Sequence, residues 1–116
     1  KKALNGAKVL LLGVAYKNDI DDYRESPALK VIEVLEKEGA NVDFYDPWIS
    51  EYKYKGQIHK GLPKIDDKIV QEADIVIFTS AHSNFDYKMI SKNAKAIFDT
   101  RNAMKNIKER KNIELL

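Results

Sequence analysis

The chain of 116 residues has no cysteine. Disulfides, thiolate metal sites and a cysteine nucleophile are therefore excluded within it. It has only two histidines, His59 and His82, too few for a histidine-rich metal centre. No apolar run approaches the roughly 18 residues that a membrane-spanning helix needs, and the start, Lys1-Lys2-Ala3-Leu4-Asn5-Gly6, lacks the apolar centre of a signal peptide. Excess charge of one sign is missing as well. A net charge of +2 falls short of the basic bias of a dedicated nucleic-acid surface. These absences leave a protein expected in the cytoplasm, with no nucleic-acid or membrane partner, whose chemistry rests on other groups or on another part of a longer protein.

What remains is ordinary for a globular domain: 44% hydrophobic and 33% charged residues, in a length that suits one domain with one core over 1–116. The organising stretch is Val9-Leu10-Leu11-Leu12-Gly13, an apolar run of strand length ending at a glycine. After a charged loop, Ser26-Pro27 reads as a helix start, with serine as N-cap and proline in the first turn. Ala28, Val31, Ile32 and Leu35 recur on one face of a helix over 27–38. Glu33 and Glu36 fall on the side expected to face solvent, and Gly39 suits a left-handed C-terminal residue.

Asn41-Val42-Asp43-Phe44-Tyr45 is the next strand and completes a βαβ unit, whose crossover is expected to be right-handed. Asp46-Pro47 ends it. The pattern then weakens, with an edge strand expected near 57–59 and a helix over 63–73 carrying Ile65, Ile69, Val70 and Ala73 on its apolar side. Ile75-Val76-Ile77-Phe78-Thr79 is a buried strand. Beyond it come a polar loop, a short helix over 87–93, a strand over 96–99, a basic turn or helix over 103–111 and a last strand over 112–115. The alternation predicts an α/β fold: a Rossmann-like, doubly wound, mostly parallel sheet of about five or six strands with helices on both faces.

Ligands of such sheets bind beyond the carboxyl ends of the strands, which directs attention to the loop after Gly13. Conventional dinucleotide binding is disfavoured there, because only Gly13 stands where G-x-G-x-x-G is required. Asp46 occupies the place of a ribose-binding acid, but one carboxylate does not replace the glycines. Lys17 can pair with a phosphate and Tyr16 can stack on a base; the alternative is a solvated lysine beside a packed ring. Arg101 should leave the same sheet edge, where it either completes a diphosphate clamp with Lys17 or pairs with Asp99. Asp19, Asp21, Asp22 and Glu25 fail the calcium-loop pattern, since Tyr23 stands at the third ligand position. No metal site is assigned. His82 lacks a nucleophile or an orienting partner in sequence and is expected to be solvated or structural. Trp48 and Tyr45, Tyr52 and Tyr54 are expected in the core or at an interface. No catalytic residue is assigned.

Gly13-Val14-Ala15-Tyr16-Lys17, Asp21-Asp22-Tyr23-Arg24-Glu25-Ser26-Pro27-Ala28, Tyr45-Asp46-Pro47, Ala73-Asp74-Ile75-Val76-Ile77 and Phe98-Asp99-Thr100-Arg101 occur in that order. Together they resemble the C-terminal domain of the UDP-glucose/GDP-mannose dehydrogenases. Ala81-His82-Ser83-Asn84-Phe85-Asp86-Tyr87 is most similar to the UDP-N-acetylglucosamine 6-dehydrogenase branch. The resemblance implies that Tyr16, Lys17 and Arg101 contact the UDP of a UDP-sugar, and that Arg24 faces the interdomain cleft and the cofactor. It implies NAD bound mainly by an N-terminal domain, and a cysteine nucleophile outside this chain. It further implies oxidation of a sugar C6 alcohol to a carboxylate through a thiohemiacetal and a thioester. This domain would close the cleft, be inactive alone, and belong to a homo-oligomer when joined to the remaining domains of the parent enzyme. The alternatives are the UDP-glucose branch and a stand-alone, non-catalytic nucleotide-binding module.

Overall fold

The computed structural model describes residues 5–15, 23, 26–80, 82 and 85–99, together with a strand at Ile113–Leu115. The first strand, β1 (Lys8–Leu12), is buried from its second residue to its last. Such burial requires a cover on each face, and the alternation of side chains across a strand supplies it. Leu10 and Leu12 join one apolar cluster with Val70, Val76, Phe78, Ile90 and Ile97. Leu11 points the other way and joins Ala28, Leu29, Ile32, Phe44 and Tyr52.

Helix α1 (Pro27–Lys37) covers the Leu11 face. It begins as the sequence predicts: Ser26 is the N-cap and its Oγ accepts from the Ala28 N–H at 3.2 Å. Beyond its end Gly39 has φ +94°, a conformation that glycine takes without steric cost. Strand β2 (Asn41–Tyr45) then pairs parallel with β1. The weakly patterned stretch after β2 forms an antiparallel hairpin, β3 (Glu51–Tyr54) and β4 (Gln57–Lys60), separate from the main sheet. Tyr52, fully buried, turns it onto α1. Helix α2 (Asp67–Glu72) is shorter than the expected 63–73, because Asp66 caps it by accepting from the Ile69 N–H at 2.9 Å. Its Val70 still lands in the core. Strand β5 (Ile75–Phe78), α3 (Tyr87–Asn93), β6 (Ile97–Asp99) and β7 (Ile113–Leu115) complete the order.

The main sheet has five strands in the order β2-β1-β5-β6-β7, and every pairing is parallel. Helices α2 and α3 pack together over one face, opposite α1. The chain leaves β1 towards β2 and later returns to the other side of β1 with β5, so β1/β5 is the switch point where a doubly wound sheet opens for ligands. Leu12 stands level with Tyr45 and Phe78, and Phe78 with Asp99. Four strands therefore end on one line, and the chain leaves each of them from a common edge. No helix among the described residues is long and apolar enough to cross a membrane.

Candidate functional site

Of the residues assigned to the site in sequence, Tyr16, Lys17, Arg24 and Arg101 lie outside the described residues, as does the acidic cluster Asp19, Asp21, Asp22 and Glu25. The structure does describe the ground from which the first two depart: Gly13, Val14 and Ala15, all fully buried in or beside the core.

These three residues are held almost atom by atom. The Gly13 N–H donates to the Tyr45 carbonyl at 2.9 Å, and the Thr79 hydroxyl donates to the Gly13 carbonyl. The Val14 and Ala15 N–H groups both donate to Asp46 Oδ2, at 2.8 and 3.1 Å. The Ser80 hydroxyl closes the set by donating to the Ala15 carbonyl at 2.8 Å. Gly13 itself has φ +90°, and a Cβ there would meet the Cβ of Ser80 at 2.5 Å. Only glycine lets β1 turn so close to the end of β5.

Asp46 is the hub. Its Oδ1 accepts from the Trp48 N–H at 2.8 Å, and its Oδ2 lies 2.9 Å from His82 Nε2. Both side chains of that pair are fully buried. Burial by itself opposes ionisation of the carboxyl. The hydrogen bond from His82 and the N–H groups of Trp48 and Val14 outweigh it and hold Asp46 below the usual carboxylate range. An ionised carboxylate only accepts, so His82 Nε2 carries the proton that it shares with Asp46. The histidine is fixed in turn: its carbonyl accepts from the Tyr87 hydroxyl, and its ring lies 5.5 Å from that of Phe85. His82 is thus structural rather than solvated. The partner that sequence spacing did not supply is Asp46, distant along the chain but joined to it across the sheet.

The same arrangement decides the question of a dinucleotide. Both oxygens of Asp46 are engaged internally and the carboxylate is shut away from solvent, so no ribose can reach it. Gly13 is packed against Ser80, with no room for a pyrophosphate. The described residues do not fit NAD. Among the described residues, no three His, Asp or Glu side chains converge as a metal site would require.

A second polar cluster lies across α1, where a groove of about 400 Å³ separates the helix from the β3–β4 hairpin. Glu33 does not simply face solvent as its place on the helix suggested. It accepts from the Tyr54 hydroxyl at 3.2 Å and pairs with Lys55 at 2.7 Å and with Lys30 at 3.3 Å. Lys55 is the first cause of a Glu33 pKa lowered to about 2. Below it the Tyr52 ring stacks on His59 at 4.8 Å, and burial pushes the phenol up to about 12. Glu33, Tyr54 and Lys55 satisfy one another in this groove, and the strand-end edge, where an α/β sheet binds its ligands, is the candidate site. Trp48 stands exposed there, two residues after the Asp46 hub, while Tyr52 takes the core position foreseen for the tyrosines.

The family model described as "UDP-glucose/GDP-mannose dehydrogenase family, UDP binding domain" matches residues 10–106. The chain belongs to this family. It is 37% identical over 105 residues to a UDP-N-acetyl-D-mannosamine dehydrogenase of Methanocaldococcus jannaschii, covering 84% of this chain and 23% of that protein. It is 33% identical over 109 residues to a UDP-glucose 6-dehydrogenase of Rickettsia bellii, covering 88% of this chain and 25% of the relative. The solved structure of the UDP-D-ManNAc dehydrogenase of Pyrococcus horikoshii superposes with a TM-score of 0.74 at 28% identity, over 97% of this chain and 26% of that one. The chain therefore spans about a quarter of the length of these relatives and corresponds to the C-terminal, UDP-binding domain of UDP-sugar dehydrogenases. The parallel sheet with its switch point at β1/β5 is the architecture of that domain.

Proposed function

We propose that this domain holds the UDP half of a UDP-sugar at the edge beyond β1, β5 and β6, inside an NAD-dependent 6-dehydrogenase that oxidises the sugar C6 alcohol to a carboxylate. The observation that carries the reading is the match to a UDP-binding domain over a segment that begins in β1 and runs past β6. Lys17 follows the end of β1 and Arg101 the end of β6, two strands away and level with it. Adjacent strands lie about 4.8 Å apart, so the ends of β1 and β6 are roughly 10 Å apart. A lysine and an arginine that follow those ends suit one diphosphate, the arginine in bidentate fashion. Tyr16, next to Lys17, supplies a face for the uracil. Arg24 serves the cleft towards the domain that binds NAD. The chain contains no cysteine, so the nucleophile, like the cofactor, belongs to the rest of the enzyme. This domain contributes binding and cleft closure and is inactive alone. The whole enzyme works as a homo-oligomer.

Isothermal titration with UDP tests the assignment. The unaltered chain binds, and replacing both Lys17 and Arg101 by alanine weakens binding by about tenfold or more for each cation lost. Equal affinity in the double variant would remove these residues from the site. No heat of binding from the unaltered chain would remove UDP as the ligand of the isolated domain.

For the sugar, an N-acetylhexosamine is favoured, because relatives named UDP-N-acetyl-D-mannosamine dehydrogenase include the 37% identical one. UDP-glucose remains the second reading, given the 33% identical relative that carries that name. Turnover of the full-length protein with each UDP-sugar separates the two.

A further inference from the structure

The Asp46–His82 pair is fully buried at the very residues that lead into the region assigned to UDP. A buried polar pair contributes little net stability compared with a well-packed apolar pair of the same size. Its presence at this point calls for another account, and the geometry provides one. A single oxygen, Asp46 Oδ2, receives the N–H groups of two consecutive residues, Val14 and Ala15, and the Nε2 proton of His82. Two successive amides aimed at one acceptor fix the direction of the chain as it leaves the sheet. The next two residues are Tyr16 and Lys17.

We infer that Asp46 and His82 are positioning residues for the nucleotide: together they clamp the Val14–Ala15 backbone so that Tyr16 and Lys17 leave β1 in one fixed direction. The inference rests on the proposed role of Tyr16 and Lys17 in holding UDP. His82 acts through Asp46. By donating to Oδ2 it aims the carboxylate, while the Trp48 N–H holds Oδ1. Thr79 and Ser80 fix the neighbouring carbonyls of Gly13 and Ala15 from the β5 side. The clamp thus joins the ends of β1, β2 and β5 around one short backbone segment, and three ordered residues spare the ligand the entropy of ordering them.

His82→Phe keeps a ring in the site but offers no donor, whereas His82→Gln keeps an N–H within reach of Oδ2. Phe85→Leu disturbs the packing on the His82 ring and leaves the hydrogen bond in place. UDP titrations of the unaltered chain and these three variants, well below their melting temperatures, read affinity. Amide hydrogen exchange at Val14 and Ala15 without ligand reads the clamp directly. The expected result is that His82→Phe weakens UDP binding about tenfold and His82→Gln restores it to within about threefold. Exchange at both amides quickens in the first variant only. Equal weakening by Phe85→Leu and His82→Phe would reduce the pair to a packing role and overturn the inference. If the unaltered chain does not bind UDP, the UDP reading fails and exchange decides alone: quickening confined to His82→Phe supports the clamp, and unchanged exchange overturns it.

Discussion

Two carboxylates in this domain each gather three or more donors, and they do so under opposite conditions. Asp46 collects the N–H groups of Val14, Ala15 and Trp48 and the ring of His82, with no exposed side-chain surface on either member of the pair. Glu33 collects Tyr54, Lys55 and Lys30, but its side chain is 16% exposed and that of Lys55 is 63% exposed. Both hold their protons less tightly than an ordinary carboxyl. The difference lies in what the donors are. Asp46 is bonded mainly by backbone, which cannot swing away, whereas Glu33 is bonded by long side chains that exchange readily with water. A low pKa therefore reports good partners in both places, but only at Asp46 does it report a rigid piece of structure.

The sharpest way to break this comparison is to remove each carboxylate. Asp46→Ala leaves two buried amides and a buried imidazole without their acceptor, a change that costs about 3–5 kcal/mol on the scale of broken buried pairs. Urea unfolding should show it as a large fall in the midpoint. A loss below about 1 kcal/mol, the size of a surface pair, would mean that water replaces the carboxylate and that the clamp is not rigid.

An acid titration sharpens the contrast with a smaller effect. The folded pKa of Asp46 is depressed, so its contribution is fully present above the unfolded value of about 3.9 and disappears as pH falls through the lower, folded value. Unfolding midpoints measured downward from about pH 5 should therefore fall more steeply for the unaltered chain than for Asp46→Asn, which cannot take up that proton. Parallel curves would contradict the assignment. The least effect is expected from Glu33→Gln. Its consequence for stability should be small and should vanish in high salt, since its lysine partners sit in solvent. A loss that persists in high salt would make the α1–hairpin cluster the equal of the Asp46 hub.

Much of the fold was legible because local signals and burial agree. Ser26-Pro27 and Gly39 bracket α1 through backbone chemistry that operates within a few residues. Strands β1, β5 and β6 are short apolar runs, as strands covered on both faces must be. The β3–β4 hairpin was only half visible, as a weak edge strand, because Lys53, Lys55 and Gln57 stand on its exposed side and its apolar content is concentrated in Tyr52. Helix α2 is shorter than its apolar spacing predicts, because that spacing does not mark a start, whereas the Asp66 cap does.

At the site, the resemblance of the residues around Lys17 pointed to the family that the comparisons establish, and the strand ends converge where an α/β sheet binds ligands. The Asp46–His82 pair was not legible. Asp46 reads in sequence as a ribose-binding acid and His82 as a loop residue. Nothing in a linear pattern reveals that a strand end and a loop meet in a dry interior across 36 positions of chain. A signal was nevertheless present. A histidine followed closely by an aromatic, just past a fully apolar strand, lies where burial is expected, and a buried imidazole needs a partner.

The position of β1 in the sheet also governs how the molecule comes into being. The first strand of this sheet ends up inside it, between neighbours made later, and its two seams differ in reach. Val14 finds Asp46 across 32 positions, but Gly13 waits for Thr79 across 66. As the chain emerges during synthesis, the β1–α1–β2 half can form early, while the far edge of β1 stays bare until β5 has been made. Long-range parallel pairing of this kind is slow, and an unpaired apolar edge invites wrong partners in the meantime. The edge beyond β1 and β5 is therefore among the last parts to take shape, and a nascent chain halted before Thr79 has most of one wall of its core and only half of that edge.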